Sequence, residues 1–489
     1  MRLGQTQLST LSSTARTPDY ERANISPGIV HLGIGAFHRA HMAVYVDRIL
    51  AKEPAWGIIG ASLRRPDTKM ALEPQDYLYC VATRGVDGTN CQVVGSIVEI
   101  IDASVDVSAL LARMAAPSIR IVSLTVTEKG YCHEPATGSL NKEHPDIARD
   151  LLNLDAPHSV PGIIVAALMR RRDAGMTGFT VLSCDNLQGN GHVAKRVVTE
   201  FAEIVDPALA RWIATHVRFP NTMVDRIVPS TTDRDLGEIT SLLGAEDAWP
   251  VVTEPFSQWV VEDDFIAGRP QWEHAGVQMV ADVLPYEHMK LRLLNGSHSA
   301  MAYLGLLAGH EFVAEAIADT GIQTLLRRMM RQEIAPTLNV PNIDLPGYCD
   351  QLLARFSNPA LYHGLKQIAA DGTQKLPQRI LAPLRERMAG GETIDCLTLT
   401  AAAWIAFLAD RSSAGAETIQ DPLGERLVHA VSDAGRSPRL LTDAILGIEE
   451  VFGNDLPTSS LFRHAVEAHL DRILSQGAGI AIEAAISNR

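Results

Sequence analysis

Short apolar runs alternate with helix-like segments in the first half of the chain. The runs are GIVHLGIG (28–35), WGIIGAS (56–62), IRIVSLTVT (119–127), FTVLSCDN (179–186) and TMVDRIVP (222–229). The segment GIIVAALMRRRDAG, which precedes the fourth run, is typical of a helix. Runs rich in Val and Ile that are separated by helices are the pattern of parallel strands covered on both faces. The sequence therefore predicts an α/β domain with a mostly parallel sheet.

The pattern changes after residue 285, where long amphipathic segments replace the runs of β-branched residues. These segments are MKLRLLNGSHSAMAYLGLLAG (289–309), TGIQTLLRRMMRQEIAPTL (320–338) and SLFRHAVEAHLDRILSQG (460–477). Their spacing of apolar residues predicts helices. The Gly- and Pro-containing segment 267–287 is the best candidate for the join. We therefore expect two domains, residues 1–284 and a mostly α-helical domain of residues 285–489.

Charge and cysteine usage limit the classes of partner. The 489-residue chain has a formal net charge of -14 and contains no long Lys/Arg block, which argues against nucleic acid and anionic membranes. Its six cysteines form no C-x-x-C pair, so neither a disulfide framework nor a zinc knuckle is predicted. The N-terminus lacks the apolar core of a signal peptide, and the apolar run at 397–409 is too short to span a bilayer. We expect a cytoplasmic protein with reduced thiols and a small-molecule partner.

The first motif, GIVHLGIGAFHRAH, runs from a strand through Gly33 and Gly35 into a helix. Glycines at such a turn let the backbone approach a pyrophosphate, which the helix N-terminus also attracts. The third glycine of the G-x-G-x-x-G pattern is replaced by His38, so a tight strand-helix turn is the alternative. His38 and His41 could be metal ligands, but no third ligand stands at a matching spacing, which favours packing or proximity to a cofactor.

Dinucleotide-binding domains usually place an acidic residue at the end of the second strand, where it bonds the adenosine ribose. Here the second strand leads into GASLRRPDTKM, in which Asp67 follows Arg64 and Arg65. Asp67 would favour NAD by bonding the ribose hydroxyl, whereas the two arginines would receive the 2′-phosphate of NADP. A solvated charged loop is the third interpretation, and the prediction leans towards NAD.

The segment KLRLLNGSH (290–298) places three polar side chains within an apolar helical pattern. At roughly 100° per residue, Lys290, Asn295 and His298 share one arc of an α-helix. A dehydrogenase without a metal needs a base for the hydroxyl proton and donors for the alkoxide. Lys290 could be that base, and the other two side chains could be the donors. In the alternative, Lys290 extends its ammonium to solvent and Asn295-Gly296 ends or kinks the helix.

Several ordered motifs resemble those of the polyol-specific long-chain dehydrogenase/reductase family, which includes mannitol 2-dehydrogenase and fructuronate reductase (mannonate oxidoreductase). They are GIVHLGIGAFHRAH, IVSLTVTEKGY, SCDN, TMVDRIVP, EPFSQWVVEDDF, MKLRLLNGSHS and DGTQKLPQR. The resemblance implies a Rossmann-type domain, an α-helical C-terminal domain, and zinc-independent chemistry with NAD or NADP. It also implies a monomer or a weak oligomer.

The resemblance also assigns roles to individual residues. The family's lysine-x4-asparagine-x2-histidine signature falls on Lys290, Asn295 and His298, which become the base and the two donors. Three further matches are expected to contact the substrate, and the residues expected to contact the cofactor lie near the first motif. The substrate residues are Asn186, Asp225 and Lys375, and the cofactor residues are Gly33, Gly35, Phe37 and Asp67.

Substrate choice is less defined by the sequence. Several motifs look closer to fructuronate reductases, but NPALYHGLKQIA has Tyr362 and Gly364 where those enzymes tend to carry arginines. Loss of two arginines argues against a uronate unless Lys366 compensates. A dinucleotide-binding sensor or scaffold without turnover is the alternative function, which the presence of all three signature residues disfavours. A zinc alcohol dehydrogenase is a third possibility, for which the chain lacks a Cys/His ligand set.

Overall fold

The structure is a computed structural model that describes residues 1–134, 137–361, 363–412 and 419–487. The chain divides into two compact units, Met1–Leu284 and Pro285–Arg489. Each unit is built around its own buried side chains and is described separately below.

A parallel sheet forms the centre of the N-terminal unit. Among the described residues it has five strands in the order β5-β2-β1-β6-β7, and every neighbouring pair is parallel. The strands of the unit are β1 (Pro27–Leu32), β2 (Gly57–Ser62), β3 (Tyr79–Gly85), β4 (Gly88–Val94), β5 (Ile97–Asp102), β6 (Ile121–Leu124), β7 (Thr180–Ser183), β8 (Thr222–Asp225), β9 (Val251–Thr253), β10 (Gln258–Glu262) and β11 (Gln278–Val280). The predicted Rossmann-type parallel sheet is confirmed.

Both faces of this sheet are buried, which explains why its strands are apolar without alternation. Neighbouring residues of one strand belong to different cores: Ile29 packs in one and Val30 in the other, because successive side chains point to opposite faces. The helices of the unit are α1 (Ala36–Ala40), α2 (Met42–Asp47), α3 (Asp67–Leu72), α4 (Val107–Ala115), α5 (Thr127–Gly130), α6 (Pro145–Leu152), α7 (Val160–Asp173), α8 (Asn190–Val205), α9 (Pro207–His216) and α10 (Asp233–Leu243).

The interpretation of TMVDRIVP as a further parallel strand is wrong. Strand β8 pairs antiparallel with β10, and β11 completes a separate three-stranded sheet within the described residues. A second such sheet, of order β4-β3-β9, also lies outside the parallel one. The composition of one short apolar strand does not reveal the direction of its partner, and the partner β10 was not recognised in the sequence.

The C-terminal unit is helical, as predicted. Its helices are α11 (Leu284–Met289), α12 (Gly296–Leu307), α13 (Val313–Ala318), α14 (Thr320–Arg328), α15 (Leu345–Phe356), α16 (Leu365–Ala369), α17 (Gly372–Leu376), α18 (Ala382–Ala389), α19 (Asp395–Ser412), α20 (Gly424–Ala434), α21 (Pro438–Leu446), α22 (Glu449–Phe452), α23 (Ser460–Gln476) and α24 (Ala478–Ser487). The apolar run at 397–409 lies in α19, whose side chains from Cys396 to Leu408 are buried. An all-round apolar helix of this kind belongs in a protein core. In the part of the chain that the structure describes, no helix is long and apolar enough to cross a membrane.

Three π-helical turns interrupt the helices of the C-terminal unit within its described residues. They are Lys290–Asn295, Met329–Ile334 and Pro377–Leu381. In such a turn the backbone hydrogen bonds run from residue i to residue i+5, so the turn is wider than in an α-helix. π-Helical turns are rare in proteins, and those that do occur are often found at functional sites.

Candidate active site

Of the two glycines in the first motif, only Gly33 is required by the backbone conformation and packing of the protein itself. Gly33 has a φ of +89°, and a Cβ atom there would lie 2.2 Å from the carbonyl oxygen of Thr125. Gly35, which caps the N-terminal end of α1, has an ordinary φ of -83°, and a Cβ atom would have no neighbour nearer than 4.0 Å. Packing within the chain thus explains Gly33 but leaves open space beside Gly35. Such space is what the close approach of a dinucleotide to the backbone requires.

His38 occupies the third-glycine position without keeping α1 away from the sheet. Its ring stacks on that of His31 from β1, with the centroids 3.4 Å apart and the planes 15° apart. The His31 ring is held by Ser123 Oγ and Thr125 Oγ1, each at 2.8 Å. Burial lowers the pKa of His31 to about 3 and that of His38 well below its usual value. Two neutral imidazoles therefore fill the space between α1 and the sheet.

The interpretation of His38 and His41 as packing residues agrees with their surroundings. His41 Nε2 lies 2.9 Å from the carbonyl oxygen of Gln258, and its ring stacks on Phe37 at 5.0 Å. Neither ring nitrogen of His38 has a hydrogen-bond partner among the described residues. Those residues also contain no group of three or more His, Cys, Asp or Glu side chains placed to hold a metal.

The other two residues expected at the cofactor lie on short helices. Phe37 is half-buried on α1, and Asp67 is the exposed first residue of α3. Five positions separate Asp67 from Ser62, the last residue of β2, and the intervening Arg64 and Arg65 are exposed as well. These exposed positions are compatible with Asp67 bonding the ribose hydroxyl of NAD and also with the two arginines receiving the 2′-phosphate of NADP. The role of Asp67 therefore stays a prediction.

Asp185, which was not identified in the sequence, connects two loops at the carboxyl edge of the parallel sheet. Its carboxylate accepts hydrogen bonds from the N–H groups of Val126 and Thr127, at 3.1 and 2.8 Å, and from the Tyr131 hydroxyl at 2.7 Å. Burial raises the pKa of this carboxyl group. These contacts join the loop after β6 to the loop after β7. The strand order reverses between β1 and β6, and ligands of α/β sheets bind at such a point.

Asn186 and Asp225 are both found in the N-terminal unit. Asn186 is exposed in the loop after β7, and Asp225 is the buried last residue of β8. The two segments are joined by Asn190, whose side-chain amide donates to the carbonyl oxygens of Asp185 and Thr222, at 3.0 and 2.9 Å. In the sequence, only the Asp-Asn pair of the motif SCDN points to this arrangement. Asp185 holds the loop through its hydrogen bonds, and Asn186 lies exposed on the same loop.

Lys290, Asn295 and His298 are positioned by a π-helical turn and not by a continuous α-helix. The N–H of Gly296 donates to the carbonyl oxygens of Leu291 and Leu293, so the angular spacing of 100° per residue assumed for this segment is wrong. Lys290 is half-buried, and Asn295 and His298 are 9% and 7% exposed. The polar heads lie on a wider turn than the sequence analysis assumed.

Gly296 packs closely against other parts of the C-terminal unit, and this contact holds the π-helical turn in place. A Cβ atom on Gly296 would lie 3.1 Å from the carbonyl oxygen of Arg379 and 3.7 Å from the Cδ1 atoms of Ile334 and Ile380. Those neighbours come from the other two π-helical turns. The Asn295 carbonyl oxygen accepts a hydrogen bond from Ser299 Oγ at 3.1 Å and lies 3.4 Å from the Arg379 donor Nη1. Glycine therefore permits a close contact that fixes the backbone between Asn295 and His298.

His298 lies in a buried and basic environment. Its ring centroid is 4.9 Å from that of Phe356 and 5.3 Å from that of His363, and its Nε2 has no partner among the described residues. Burial lowers the pKa of His298 well below its usual value, and the charges of His363, Arg355, Arg379 and Lys290 lower it further. The imidazole is thus neutral at neutral pH. Lys290 is close enough to act on it electrostatically.

Lys375, on α17, has part of its hydrogen-bonding capacity committed to the backbone. Its Nζ donates to the carbonyl oxygen of Ala370 at 2.6 Å and to that of Ile368 at 3.3 Å, and it lies 3.9 Å from Asp371. An ammonium has three N–H donors, and these contacts do not test whether Lys375 also binds substrate. That role of Lys375 stays a prediction. Of the residues that bear on a uronate, Tyr362 lies outside the described residues, Gly364 precedes α16, and Lys366 is exposed.

Comparison with known proteins gives matches over nearly the whole chain. Residues 27–274 match the family model described as the mannitol dehydrogenase Rossmann domain, and residues 282–474 match the mannitol dehydrogenase C-terminal domain. The oxidoreductase YeiQ of Escherichia coli (strain K12), itself uncharacterized, is 47% identical over 477 residues, 97% of each chain. D-mannonate oxidoreductase from the same strain is 43% identical over 468 residues, 94% of this chain and 96% of that protein.

A solved structure is similar over the full length. The ternary complex of Pseudomonas fluorescens mannitol 2-dehydrogenase with NAD and D-mannitol has a TM-score of 0.86 and 39% sequence identity, and the match covers 100% of both chains.

Proposed function

Because the chain belongs to the mannitol dehydrogenase family and is an oxidoreductase, we propose that it transfers a hydride between NAD and a secondary alcohol of a sugar alcohol or an aldonate. The product is a ketose or a keto-uronate, NADP is the alternative cofactor, and no zinc takes part. The observation that carries this proposal is the environment of His298, a neutral, buried imidazole with an unpartnered Nε2, three residues from Asn295 and within electrostatic range of Lys290.

Lys290 is proposed to accept the proton of the substrate hydroxyl. A positioned base of this kind is needed because the alcohol becomes a carbonyl as hydride leaves. The uncharged amine is the form that accepts a proton. Lys290 is half-buried and lies within electrostatic range of His298, so the two side chains can act on the same substrate oxygen.

Asn295 and His298 are proposed to hold the substrate oxygen as negative charge develops on it. Asn295 is buried, and His298 Nε2 is buried without a hydrogen-bond partner among the described residues. Fixed donors in a site that excludes water stabilise an oxyanion without reorganising. Because the imidazole is neutral, it donates from one nitrogen only, and the donor role requires the tautomer with hydrogen on Nε2.

The N-terminal unit is proposed to bind the dinucleotide. When bound, the nicotinamide ring supplies the hydride acceptor or donor. The backbone at Gly33 and Gly35 would lie against the pyrophosphate, with Phe37 nearby and Asp67 at the ribose. Asn186, Asp225 and Lys375 are proposed as further substrate contacts. The open space at Gly35 fits this placement, because no side chain of the protein fills it.

Turnover tests the proposal directly. Purified protein is mixed with NAD or NADP and either D-mannitol or D-mannonate, and absorbance at the nicotinamide band is followed. We expect reduction of the cofactor with at least one substrate, and we expect the rate to be unchanged after prolonged treatment with a chelator. Absence of turnover with both substrates and both cofactors would contradict the proposal, and loss of activity on chelation would contradict its zinc-independent form.

Replacing Gly35 by valine is expected to weaken cofactor binding sharply while the fold is retained. The φ of Gly35 suits any residue and no protein atom lies within 4.0 Å of the new Cβ, so only a ligand at the backbone would be displaced. Fluorescence titration with NADH measures the effect, and thermal unfolding checks the fold. The matched control is Gly237→Ala, at a glycine of α10 that also has open space around it. Unchanged NADH affinity in Gly35→Val would remove the cofactor from this turn.

Replacing Asp67 by alanine is expected to shift preference from NAD towards NADP, because a carboxylate repels the 2′-phosphate. The measured quantity is the ratio of kcat/KM for the two cofactors with a common substrate. Asp87→Ala, at an exposed turn between β3 and β4, controls for the loss of one negative charge. If the ratio moves equally in both variants or in neither, Asp67 does not contact the ribose.

A further inference from the structure

Thr127, the first residue of α5, has a backbone conformation that is rare for its residue type. Its φ is +63°, in the left-handed region. The Cβ atom of an L-residue crowds the backbone there, and a residue with a β-branched side chain is seldom found in this region. Such a conformation persists only where surrounding contacts hold it, and residues of this kind cluster at functional sites. The contacts that hold Thr127 are therefore informative.

Asp185, from the loop after β7, supplies these contacts. Its Oδ1 accepts a hydrogen bond from the N–H of Thr127 at 2.8 Å, and its Oδ2 accepts from the N–H of Val126 at 3.1 Å and from the Tyr131 hydroxyl at 2.7 Å. Asp185 is 8% exposed, and hydrogen bonds to a carboxylate are stronger than those between neutral groups. Both of its oxygen atoms are thus occupied by groups of the chain itself, and they fix the backbone on either side of the Val126–Thr127 peptide bond.

The β6 loop (residues 125–127) lies against the glycine turn (residues 33–35). The Thr125 hydroxyl donates to the carbonyl oxygen of Gly33 at 2.7 Å. A Cβ atom on Gly33 would lie 2.2 Å from the Thr125 carbonyl oxygen and 3.2 Å from Val126 Cγ1, so no space separates the turn from the loop. A shift of the β6 loop would therefore displace the glycine turn, because interiors packed this closely transmit movement.

We propose that Asp185 is a positioning residue for the dinucleotide, which holds Thr127 in the left-handed conformation and thereby keeps the β6 loop against the glycine turn. This inference rests on the proposed function, because the glycine turn is proposed to bind the cofactor. The carboxylate acts through the loop and needs no contact with the cofactor or the substrate. The three segments involved follow β1, β6 and β7, which are neighbours in the parallel sheet, so the carboxylate links the loops on which a ligand at the switch point depends.

Replacing Asp185 by asparagine provides the first test. The asparagine side chain has one acceptor oxygen, so its NH2 group would face at least one of the donors. We expect the Kd of NADH, measured by fluorescence titration, to rise about 10-fold or more. Without cofactor, amide hydrogen exchange in residues 125–131 should become about 10-fold faster or more. The matched control for the titration is Asp150→Asn, because this buried carboxylate of α6 likewise accepts from two backbone N–H groups and one hydroxyl. It should lower stability and leave the Kd of NADH unchanged.

A second substitution tests whether the carboxylate acts through the conformation of Thr127. Glycine adopts a positive φ as readily as a negative one, so a glycine at this position needs less from Asp185. The double variant Asp185→Asn/Thr127→Gly is expected to bind NADH about 5-fold more tightly or better than Asp185→Asn, which is the size of the left-handed penalty that glycine removes. Asp185→Asn/Thr127→Ala also loses the hydroxyl and methyl groups but keeps a Cβ atom, so it should regain less affinity.

The outcomes separate this inference from the proposed function. NADH binding by the wild-type protein with an unchanged Kd in Asp185→Asn would overturn the positioning role and leave the proposed function standing. A loss of affinity that Thr127→Gly does not reduce would overturn it in the same way. A wild-type protein that binds neither NADH nor NADPH would contradict the proposed function and this inference together. If Asp185→Asn does not fold, the wild-type protein carries the test: NADH should slow amide exchange in residues 125–131 about 10-fold or more, and unchanged exchange would overturn the coupling of the loop to the turn.

Discussion

Replacement of Lys290 by alanine is expected to lower turnover in alcohol oxidation on the order of 100-fold or more, with little change in cofactor affinity. Removal of a positioned acid-base group has effects of this size. In the parent enzyme the oxidation rate should rise with pH through an apparent pKa below the ~10.4 of a free lysine, because the base must be uncharged. The measurement is the steady-state rate across pH for the parent and for Lys290→Ala.

Two controls make this result specific. Lys195→Ala, at an exposed lysine on α8, should leave both the rate and the pH profile unchanged. His298→Ala should lower turnover but keep the rise with pH, because a donor to the oxyanion is lost while the base remains. A near-normal rate with an unaltered profile in Lys290→Ala would mean that the lysine only extends to solvent and that another group takes the proton.

Acidification from pH 7.0 to pH 5.5 is expected to remove stability at each buried histidine that stays neutral in the folded protein. Burial lowers the pKa of His31 to about 3 and that of His469 to about 4, and it lowers those of His38 and His298 well below the usual value. Only the unfolded chain takes up protons at these sites below its own pKa of about 6.5, so the stability present above that pH is lost as pH falls. Each histidine contributes about 1.3 kcal/mol over this interval, or about 5 kcal/mol for all four together.

Buried carboxyl groups with raised pKa values work in the opposite direction, because the folded state then holds protons more tightly than the unfolded chain. They include Asp47, Asp185, Asp247 and Glu333. A variant that removes one histidine isolates the imidazole contribution. His38→Phe keeps a ring for the stack on His31 and removes two unpartnered nitrogens, so it should be at least as stable as the parent at pH 7.0.

Urea unfolding at pH 7.0 and pH 5.5 provides the comparison. The parent should lose about 1.3 kcal/mol more of its free energy of unfolding than His38→Phe between the two values. His274→Gln, at an exposed histidine, should lose as much as the parent. Equal losses in the parent and in His38→Phe would show that His38 is protonated in the folded protein, contrary to its burial.

The sequence predicted the parallel sheet because burial on both faces leaves a direct trace, namely strands such as residues 57–61 of β2, in which apolar and polar residues do not alternate. The smaller sheets left no comparable trace. Strand β9 has three residues and β11 has three, and strands this short lack a periodicity that can be read. The direction of β8 depended on β10, thirty-odd residues later in the chain.

The candidate site was predictable where chemistry depends on residue type and spacing, and not where it depends on tertiary packing. Lys290, Asn295 and His298 stand out because polar residues are unexpected in an apolar helix. The π-helical turn that sets their geometry gives no signal in sequence, since it depends on Arg379 and Gly296 meeting across the fold. Asp185 was missed for the same reason, because its carboxylate bonds groups of another loop.

The π-helical turn at Lys290–Asn295 makes the length of this segment as important as its composition. A turn with i to i+5 hydrogen bonds accommodates a residue more than an α-helical turn does. Deletion of one residue between Lys290 and Asn295 would let the backbone return to i to i+4 bonding. The helices on either side would keep nearly the same relative rotation, but the turn would lose its extra width and Lys290 would move closer to His298 along the helix axis. Substitutions of apolar side chains that keep the number of residues retain the wide turn, so the spacing of the site depends on the length of this segment.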